Sequence, residues 1–220
     1  MMYGQGIVPS WFYLLVFMVF ILFVVIGYFV TRTEKDLQLG GDGKLANKAI
    51  YYENRFRSSS KRAEIIDVKT NYAGFVKRDF HSRLNQLWTF FFRQRSIHFT
   101  GEGHDGKLKM TLHNESVKKG NHIIWQAEVI QDHNIQRFEI EGQKEKGGVV
   151  RLSFSYGGEF LQVYHDKENG EIRFSKDQEG IAVITYQRRL SPKKVFIDSK
   201  EGELPLLLLT GIYEVIRHHS

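Results

Sequence analysis

The sequence predicts a mainly β protein, a closed antiparallel barrel around one apolar helix, preceded by one N-terminal transmembrane helix. Three observations favour this fold class. Residues 11–30 form a run of twenty without a charged side chain. Many segments between 49 and 198 alternate apolar and polar residues, which is typical of strands with one buried and one solvated face. Residues 204–216 are apolar on almost every side of a helix, so this helix must be surrounded by other elements.

The N-terminal segment 11–30 (WFYLLVFMVFILFVVIGYFV) follows a short tail, 1–10, that contains no Lys or Arg. A helix of this length spans about 30 Å, the thickness of the hydrocarbon layer. A buried core helix rarely stays apolar for so long. A cleaved signal peptide should carry a basic leading region and a shorter apolar core. The sequence therefore predicts an uncleaved transmembrane helix.

The basic residues that flank this helix predict its orientation. None precedes the helix, whereas four follow it within about twenty residues, namely Arg32, Lys35, Lys44 and Lys48. Because positively charged flanks stay on the cytoplasmic side, we expect a single-pass protein of the cell membrane. Its short N-terminus would lie outside and its C-terminal domain in the cytoplasm.

The segment 31–48 contains Gly40, Gly41 and Gly43 and has no sustained periodicity, so it is predicted to be a juxtamembrane tether. The folded domain is then 49–220, which is long enough for a single hydrophobic core.

Short runs with a period of two divide this domain into candidate strands. These are 49–56, 64–70, 74–80, 107–113, 123–129, 136–141, 150–156, 159–165, 171–175, 180–187 and 194–198. Asp105-Gly106, Asn169-Gly170 and Glu179-Gly180 fall between runs, where glycine favours tight turns. Segment 84–93 is apolar enough to be a buried strand or a short helix, and the pattern does not separate the two. Ten to twelve short strands indicate a β-sandwich or a barrel.

The closing helix, predicted over 204–217 with Pro205 in its first turn, favours the barrel. Its thirteen apolar-rich residues, 204–216, reach about 20 Å, too short for a bilayer but close to the height of a six-residue strand. A barrel with more than eight strands leaves a bore that one helix can fill. The alternative is a helix packed between a sheet and another layer. We expect its core residues to be inaccessible to solvent: Leu207, Leu208, Ile212 and Val215.

Four segments resemble a known family: 166–170 (DKENG), 180–187 (GIAVITYQ), 194–198 (KVFID) and 203–216 (ELPLLLLTGIYEVI). An antiparallel barrel that ends in an apolar central helix resembles the tubby C-terminal fold, shared by tubby proteins, phospholipid scramblases and LURP-one-like proteins. The chain also looks like bacterial proteins that join a single membrane helix to such a domain. The resemblance implies a barrel of about twelve strands over most of 49–220.

Several kinds of chemistry are excluded or disfavoured by composition and motifs. The chain has no cysteine, so it forms no disulfide, thiolate zinc site or cysteine nucleophile. No GxxxxGK[ST], GxSxG or GxGxxG motif occurs. The carboxylates Asp166 and Glu168 lie in a predicted turn, where a hairpin explains them without catalysis. We therefore expect no enzymatic activity, with an unrecognised lipid-modifying or hydrolytic activity as the alternative.

The nine histidines have spacings that do not match a metal site such as HExxH. Most are expected to be solvated residues of loops and strand ends: His98, His104, His113, His122, His133 and His165. The terminal pair His218-His219 is expected to be a frayed tail. No metal and no cofactor is predicted.

Basic residues indicate where a partner binds, on a chain with a net charge of +6. Two clusters are the lipid-binding candidates: Arg55, Arg57, Lys61 and Arg62, followed by Lys77, Arg78, Arg93 and Arg95. Each basic side chain that reaches an anionic membrane surface contributes about 1 kcal/mol. In tubby proteins basic residues bind phosphoinositide head groups, and the resemblance implies the same role here. The alternative is a solvated basic strand edge that discourages aggregation.

The expected function is therefore that of a membrane-anchored, non-enzymatic domain that binds anionic lipid head groups or a protein partner at the inner membrane face. The resemblance also implies a second possibility, a scramblase-like protein that moves lipids. Nucleic acid is the less favoured partner, because the aromatic residues fall mainly on predicted buried faces or in the membrane helix and no RNA-recognition motif is present.

Overall fold

The computed structural model describes residues 10–33, 48–53, 59–67, 73–80, 82–83, 86, 97–114, 122–145, 149–186, 194–200 and 202–219. The chain divides into two compact units, Met1–Asp42 and Gly43–Ser220.

Among its described residues, the first unit forms the helix α1 (Ser10–Thr33). Its described side chains, residues 11–25, are all large and apolar or aromatic, and each exposes between 41% and 70% of its surface. Within the part of the chain that the structure describes, no helix qualifies by length and hydropathy as a membrane span. The predicted transmembrane role of residues 11–30 stays a prediction.

The second unit is a closed barrel of twelve strands in which all neighbouring strands pair antiparallel. The strands are β1 (Lys48–Tyr52), β2 (Ala63–Asp67), β3 (Ala73–Phe80), β4 (Ile97–Gly103), β5 (Leu108–Asn114), β6 (His122–Gln131), β7 (Asn134–Lys144), β8 (Val150–Tyr156), β9 (Glu159–Asp166), β10 (Glu171–Lys176), β11 (Glu179–Tyr186) and β12 (Lys194–Ser199). Each strand pairs with the next along the chain, and β1 closes the barrel against β12. The predicted closed antiparallel barrel is thus confirmed.

A second helix, α2 (Leu206–His219), occupies the barrel interior. It begins just after Pro205, whose carbonyl accepts the backbone N–H groups of Leu208 and Leu209. Every residue from Leu207 to Ile216 is buried, which requires protein on all sides of the helix. The four predicted core residues Leu207, Leu208, Ile212 and Val215 expose between 0% and 2%. The C-terminal helix is confirmed, starting two residues later than predicted.

Strand β4 is absent from the predicted set, and its glycines explain why. Its buried positions are Ile97, Phe99, Gly101 and Gly103, so half of the apolar alternation carries no side chain. Gly101 lies against α2, where a Cβ would approach Leu207 Cδ1 to 2.7 Å. Because α2 passes so close, position 101 requires glycine. Glycine at an inward position also removes the apolar residue from which the strand would be recognised in the sequence. Segment 84–93, which the pattern left as strand or helix, lies outside the described residues apart from Gln86.

Two of the three predicted glycine turns have the expected geometry. Gly106 and Gly170 both adopt φ near +69°, in the left-handed region that favours glycine. The prediction of a turn at Glu179-Gly180 is wrong, because both residues already belong to β11. The positive φ values fall instead on Asp177 (47°) and Gln178 (70°). Asp tolerates this region because its short polar side chain bonds locally.

The alternating strand directions give the barrel two distinct ends. We define the upper end as the one where β1 and the other odd-numbered strands finish, and the lower end as the one where the even-numbered strands finish. Helix α2 follows β12, so it starts at the lower end and runs upward through the interior. Its last turn therefore lies at the upper end.

Candidate functional site

The two ends of the barrel differ sharply in the charge of their connections. The six upper connections, 53–62, 81–96, 115–121, 145–149, 167–170 and 187–193, contain 14 Lys and Arg residues against 4 Asp and Glu residues. The six lower connections, 68–72, 104–107, 132–133, 157–158, 177–178 and 200–205, contain 3 basic and 5 acidic residues. Of the 31 Lys and Arg residues in the chain, 14 thus fall in the connections of one end and only 3 in those of the other.

Strand register brings two of the predicted lipid-binding residues together at the outside of the barrel. Ala63 pairs with Val76, so Arg62 and Lys77, each one residue away, occupy neighbouring positions on the outer face. The Arg62 guanidinium lies 4.3 Å from the centre of the Phe75 ring, an arrangement favoured by the quadrupole of the ring. Lys77 Nζ lies 3.2 Å from Asp79 Oδ1. This surface combines positive charge with an aromatic ring.

Other cations accompany this pair. Lys61 is exposed, and its backbone N–H donates to Ser59 Oγ at 3.2 Å. Lys167 is exposed in the β9–β10 turn, and Lys194 Nζ lies 5.9 Å from the centre of the Tyr52 ring. Neither lysine is among the candidates predicted from the sequence, because only the order of the strands assigns them to the upper end. The remaining candidates, Arg55, Arg57, Arg93 and Arg95, lie outside the described residues.

The prediction that Arg78 belongs to a lipid-binding cluster is wrong. It lies on β3 next to Lys77, and successive residues of a strand face opposite sides of the sheet. Its side chain therefore points into the barrel, where only 5% of the residue is exposed. Its Nη2 donates a 2.8 Å hydrogen bond to Glu214 Oε2 on α2. Arg78 is a core residue and is not accessible to a lipid head group.

Arg78 is part of a buried polar cluster at the top of α2. Tyr51 OH donates to Glu214 Oε1 at 2.5 Å, and Tyr213 OH donates to Glu53 Oε2 at 2.6 Å. Arg217 forms ion pairs with Glu53 and, at 3.8 Å, with Glu214. With Arg78 included, two guanidinium groups balance two carboxylates. The cluster connects the last turns of α2 to β1 and β3, so its direct effect is to hold the helix in register with the wall.

Burial controls the protonation of this cluster. It raises the pKa of Tyr51 and of Tyr213 well above the usual range, and the Glu214 carboxylate raises both further. Burial alone would lower the pKa of Arg78, but the adjacent Glu214 outweighs it and the pKa is raised. Burial lowers the pKa of Arg217 to about 10. At neutral pH both tyrosines are thus neutral donors and both arginines are cations, as the geometry requires.

The predicted frayed tail His218-His219 is in fact fixed at the upper end, so that prediction is wrong. Trp125 Nε1 donates to His219 Nε2 at 3.0 Å, and Lys144 Nζ donates to the His219 carbonyl at 2.6 Å. Both histidine rings also pack edge-on against the Trp125 ring. These contacts close the top of the helix against β6 and β7.

A groove of about 850 Å³ crosses the outer face of strands β6 to β10. It brings His122 together with Glu139 and Glu141, a combination that an acid–base enzyme would need. All three residues are exposed, whereas catalytic acids and bases usually occupy desolvated positions that shift their protonation. The groove therefore gives no support to an enzymatic site.

Comparison with known proteins gives one match. A family model described as Tubby C-terminal like domain matches residues 50–219. No curated protein and no solved structure matches the chain significantly.

Proposed function

The chain belongs to the Tubby C-terminal like domain family, and from this premise we propose that its barrel is a non-enzymatic module that binds anionic phospholipid head groups. The observation that carries the proposal is the charge difference between the two ends, with 14 basic and 4 acidic residues in the upper connections. Each Lys or Arg that reaches an anionic surface contributes about 1 kcal/mol, so several together give stable attachment. Among the described residues, Lys61 and Lys167 are exposed in the upper connections, whereas the side chain of Arg62 extends along the outer wall over Phe75.

The outer surface is favoured over the interior as the place where lipid binds. Helix α2 fills the bore with side chains from Leu207 to Ile216 that are all buried. Protein interiors of this kind are close-packed and leave little room for a further ligand. A packed bore also favours surface binding over a scramblase-like passage of lipid through the barrel.

We further propose that residues 11–30 anchor the protein in the membrane. The support is the uncharged apolar sequence, together with the exposure of every described side chain from Trp11 to Val25. Apolar surface of this extent on a helix is favoured in lipid and disfavoured in water. Fourteen residues, 34–47, separate α1 from β1.

Reversal of charge at the upper end should release the barrel from anionic vesicles. In residues 43–220, the double variant Lys61→Glu, Lys167→Glu is expected to bind vesicles of phosphatidylserine at least tenfold more weakly, because it replaces two attractive charges with two repulsive ones. Co-sedimentation at low salt measures the bound fraction. Neutral phosphatidylcholine vesicles should recover little of either protein.

The matched control is Lys107→Glu, Lys200→Glu, which changes the net charge by the same amount at the lower end. It should bind anionic vesicles nearly as well as the unchanged domain. Equal losses in the two double variants would mean that only net charge matters. Equal recovery of the unchanged domain on neutral and anionic vesicles would overturn the lipid-binding proposal.

The orientation of the anchor yields a separate prediction. Because the basic residues follow residues 11–30 and none precedes them, we propose a cytoplasmic barrel and an outside N-terminus. A reporter fused after Ser220 that works only in the cytoplasm should be active. Digestion of the folded domain by protease added to intact cells would contradict this orientation.

A further inference from the structure

Two histidines that the sequence analysis assigned to solvated positions face each other across the outside of the barrel. His98 on β4 pairs directly with His113 on β5. Their ring centres are 4.5 Å apart, and their Nδ1 atoms are 2.7 Å apart. His113 is exposed and His98 is partly exposed, so solvent reaches the pair. The two Nδ1 atoms share a hydrogen bond at the protein surface, in which one ring donates and the other accepts.

A carboxylate lies in the same row. Asp79 on β3 is the partner of His98 on its other side, so the outward row reads Asp79, His98, His113. Asp79 Oδ2 accepts a 2.7 Å hydrogen bond from Thr100 Oγ1, and its Oδ1 lies 3.2 Å from Lys77 Nζ. These contacts hold the carboxylate beside the imidazole pair, with its negative charge shared between Lys77 and any cation bound there.

The spacing of the imidazoles suits a particular metal geometry. With metal–nitrogen bonds of about 2.0 Å, two ligands at a right angle lie about 2.8 Å apart, whereas a tetrahedral pair lies about 3.3 Å apart. The observed 2.7 Å separation is the length of the hydrogen bond between the rings, and rotation of the two rings away from that bond would leave the nitrogens near the right-angle distance of a tetragonal site. Imidazole nitrogen in a tetragonal geometry is typical of Cu²⁺.

We propose that His98 and His113 form a surface site for a divalent transition-metal ion, with Cu²⁺ as the preferred ion. Each imidazole binds the ion through the lone pair of its Nδ1. In the metal-free protein one of the two rings carries a proton on Nδ1, and when the ion binds this ring changes to the tautomer that carries the proton on Nε2. The described residues contain no group of three or more His, Cys, Asp or Glu that could hold a metal ion. With these two nitrogens as its protein ligands, a bound ion would take water in its remaining coordination positions and stay open to a further ligand.

The site is tested by titration of the full-length chain in detergent with Cu²⁺, followed by calorimetry and electron paramagnetic resonance. The unchanged protein should bind one Cu²⁺ at this site, with hyperfine structure from two equivalent nitrogens, and should bind Zn²⁺ at least tenfold more weakly. His98→Gln and His113→Gln should each weaken Cu²⁺ binding at least tenfold and leave one nitrogen or none in the spectrum.

His133→Asn in the β6–β7 turn is the matched control, since it removes an exposed histidine distant in sequence from the pair. It should leave the Cu²⁺ affinity unchanged within twofold. Binding within twofold of the unchanged protein in either His98→Gln or His113→Gln would overturn the proposal and point to other histidines. The nitrogen count of the unchanged protein is independent of how well the variants fold, and a spectrum without two imidazole nitrogens would also overturn it.

Discussion

Ending the chain at Gly202 is expected to abolish the folded barrel, because α2 is its core. Burial of a Leu, Ile or Val side chain stabilises the native state by roughly 1.5–3 kcal/mol. The helix places Leu207, Leu208, Leu209, Ile212, Val215 and Ile216 at 0% to 2% exposure. Their combined loss is of the same order as the roughly 5–15 kcal/mol that separates native from unfolded domains. The strands that pack against α2 would also lose their contacts with it, which destabilises the barrel further.

A single substitution should approach the same result. Leu208→Asp puts an unpaired carboxylate at a position that is 1% exposed, and no compensating cation is provided. Ile135→Asp is the matched control, since Ile135 is 52% exposed near the tip of the β6–β7 hairpin and should tolerate the charge.

Circular dichroism and thermal melting distinguish these outcomes. We expect a cooperative, β-rich melt for the control and none for the truncation or for Leu208→Asp. A truncated chain that still melts cooperatively would mean that α2 is dispensable to the core, contrary to its burial.

Loss of the Arg78 side chain is expected to have the second largest effect. Arg78→Met leaves Glu214 buried with one fewer cation, and breaking a buried ion pair in this way typically costs about 3–5 kcal/mol. Glu214 keeps its bond from Tyr51 and the more distant Arg217, which reduces the cost but does not replace the 2.8 Å contact. Urea unfolding of the variant measures the change in the free energy of unfolding.

Two comparisons make this result specific. The double variant Arg78→Met, Glu214→Gln removes both charges and should recover part of the lost stability. Lys77→Met, on the outer face of the same strand, should change the free energy of unfolding by less than about 1 kcal/mol. A loss below that value for Arg78→Met would show that the buried pair contributes little. If Arg78→Met bound anionic vesicles as weakly as Lys61→Glu, Lys167→Glu while still folded, Arg78 would have to be part of the lipid site.

The fold was predictable wherever the pattern of apolar and polar residues shows which face of a strand or helix is buried. In β5, Met110 and Leu112 are buried and alternate with the partly exposed Thr111, and the all-round apolar character of α2 indicates that it is enclosed. The resemblance drawn from these patterns is confirmed by the family match over residues 50–219. Strand β4 was not predicted, because Gly101 and Gly103 occupy two of its inward positions and have no apolar side chain there.

The candidate site was less predictable, because it depends on pairings between distant residues. The neighbours Lys77 and Arg78 read as one basic cluster in the sequence, although the pleat sends them to opposite faces. Glu214 was visible as a polar position on an apolar helix, yet its partners Arg78 and Tyr51 lie 136 and 163 residues away. The pairing of His98 with His113 depends on strand register, which the sequence does not state. Periodicity gives the face of a residue but not its cross-strand neighbour.

The closure of β1 against β12 has a consequence for how the protein is made. Ile50 of β1 pairs with Phe196 of β12, so β1 has no partner on this side until 146 more residues have been synthesised. Helix α2 is synthesised after β12. At about 5–20 residues per second, a ribosome needs roughly 7–30 s to cover this distance. By the end of that time eleven strands have been made, and their inward faces still lack both β12 and the helix that fills the barrel. The incomplete chain therefore exposes apolar surface that the finished barrel buries, and we expect chaperones to bind it during synthesis.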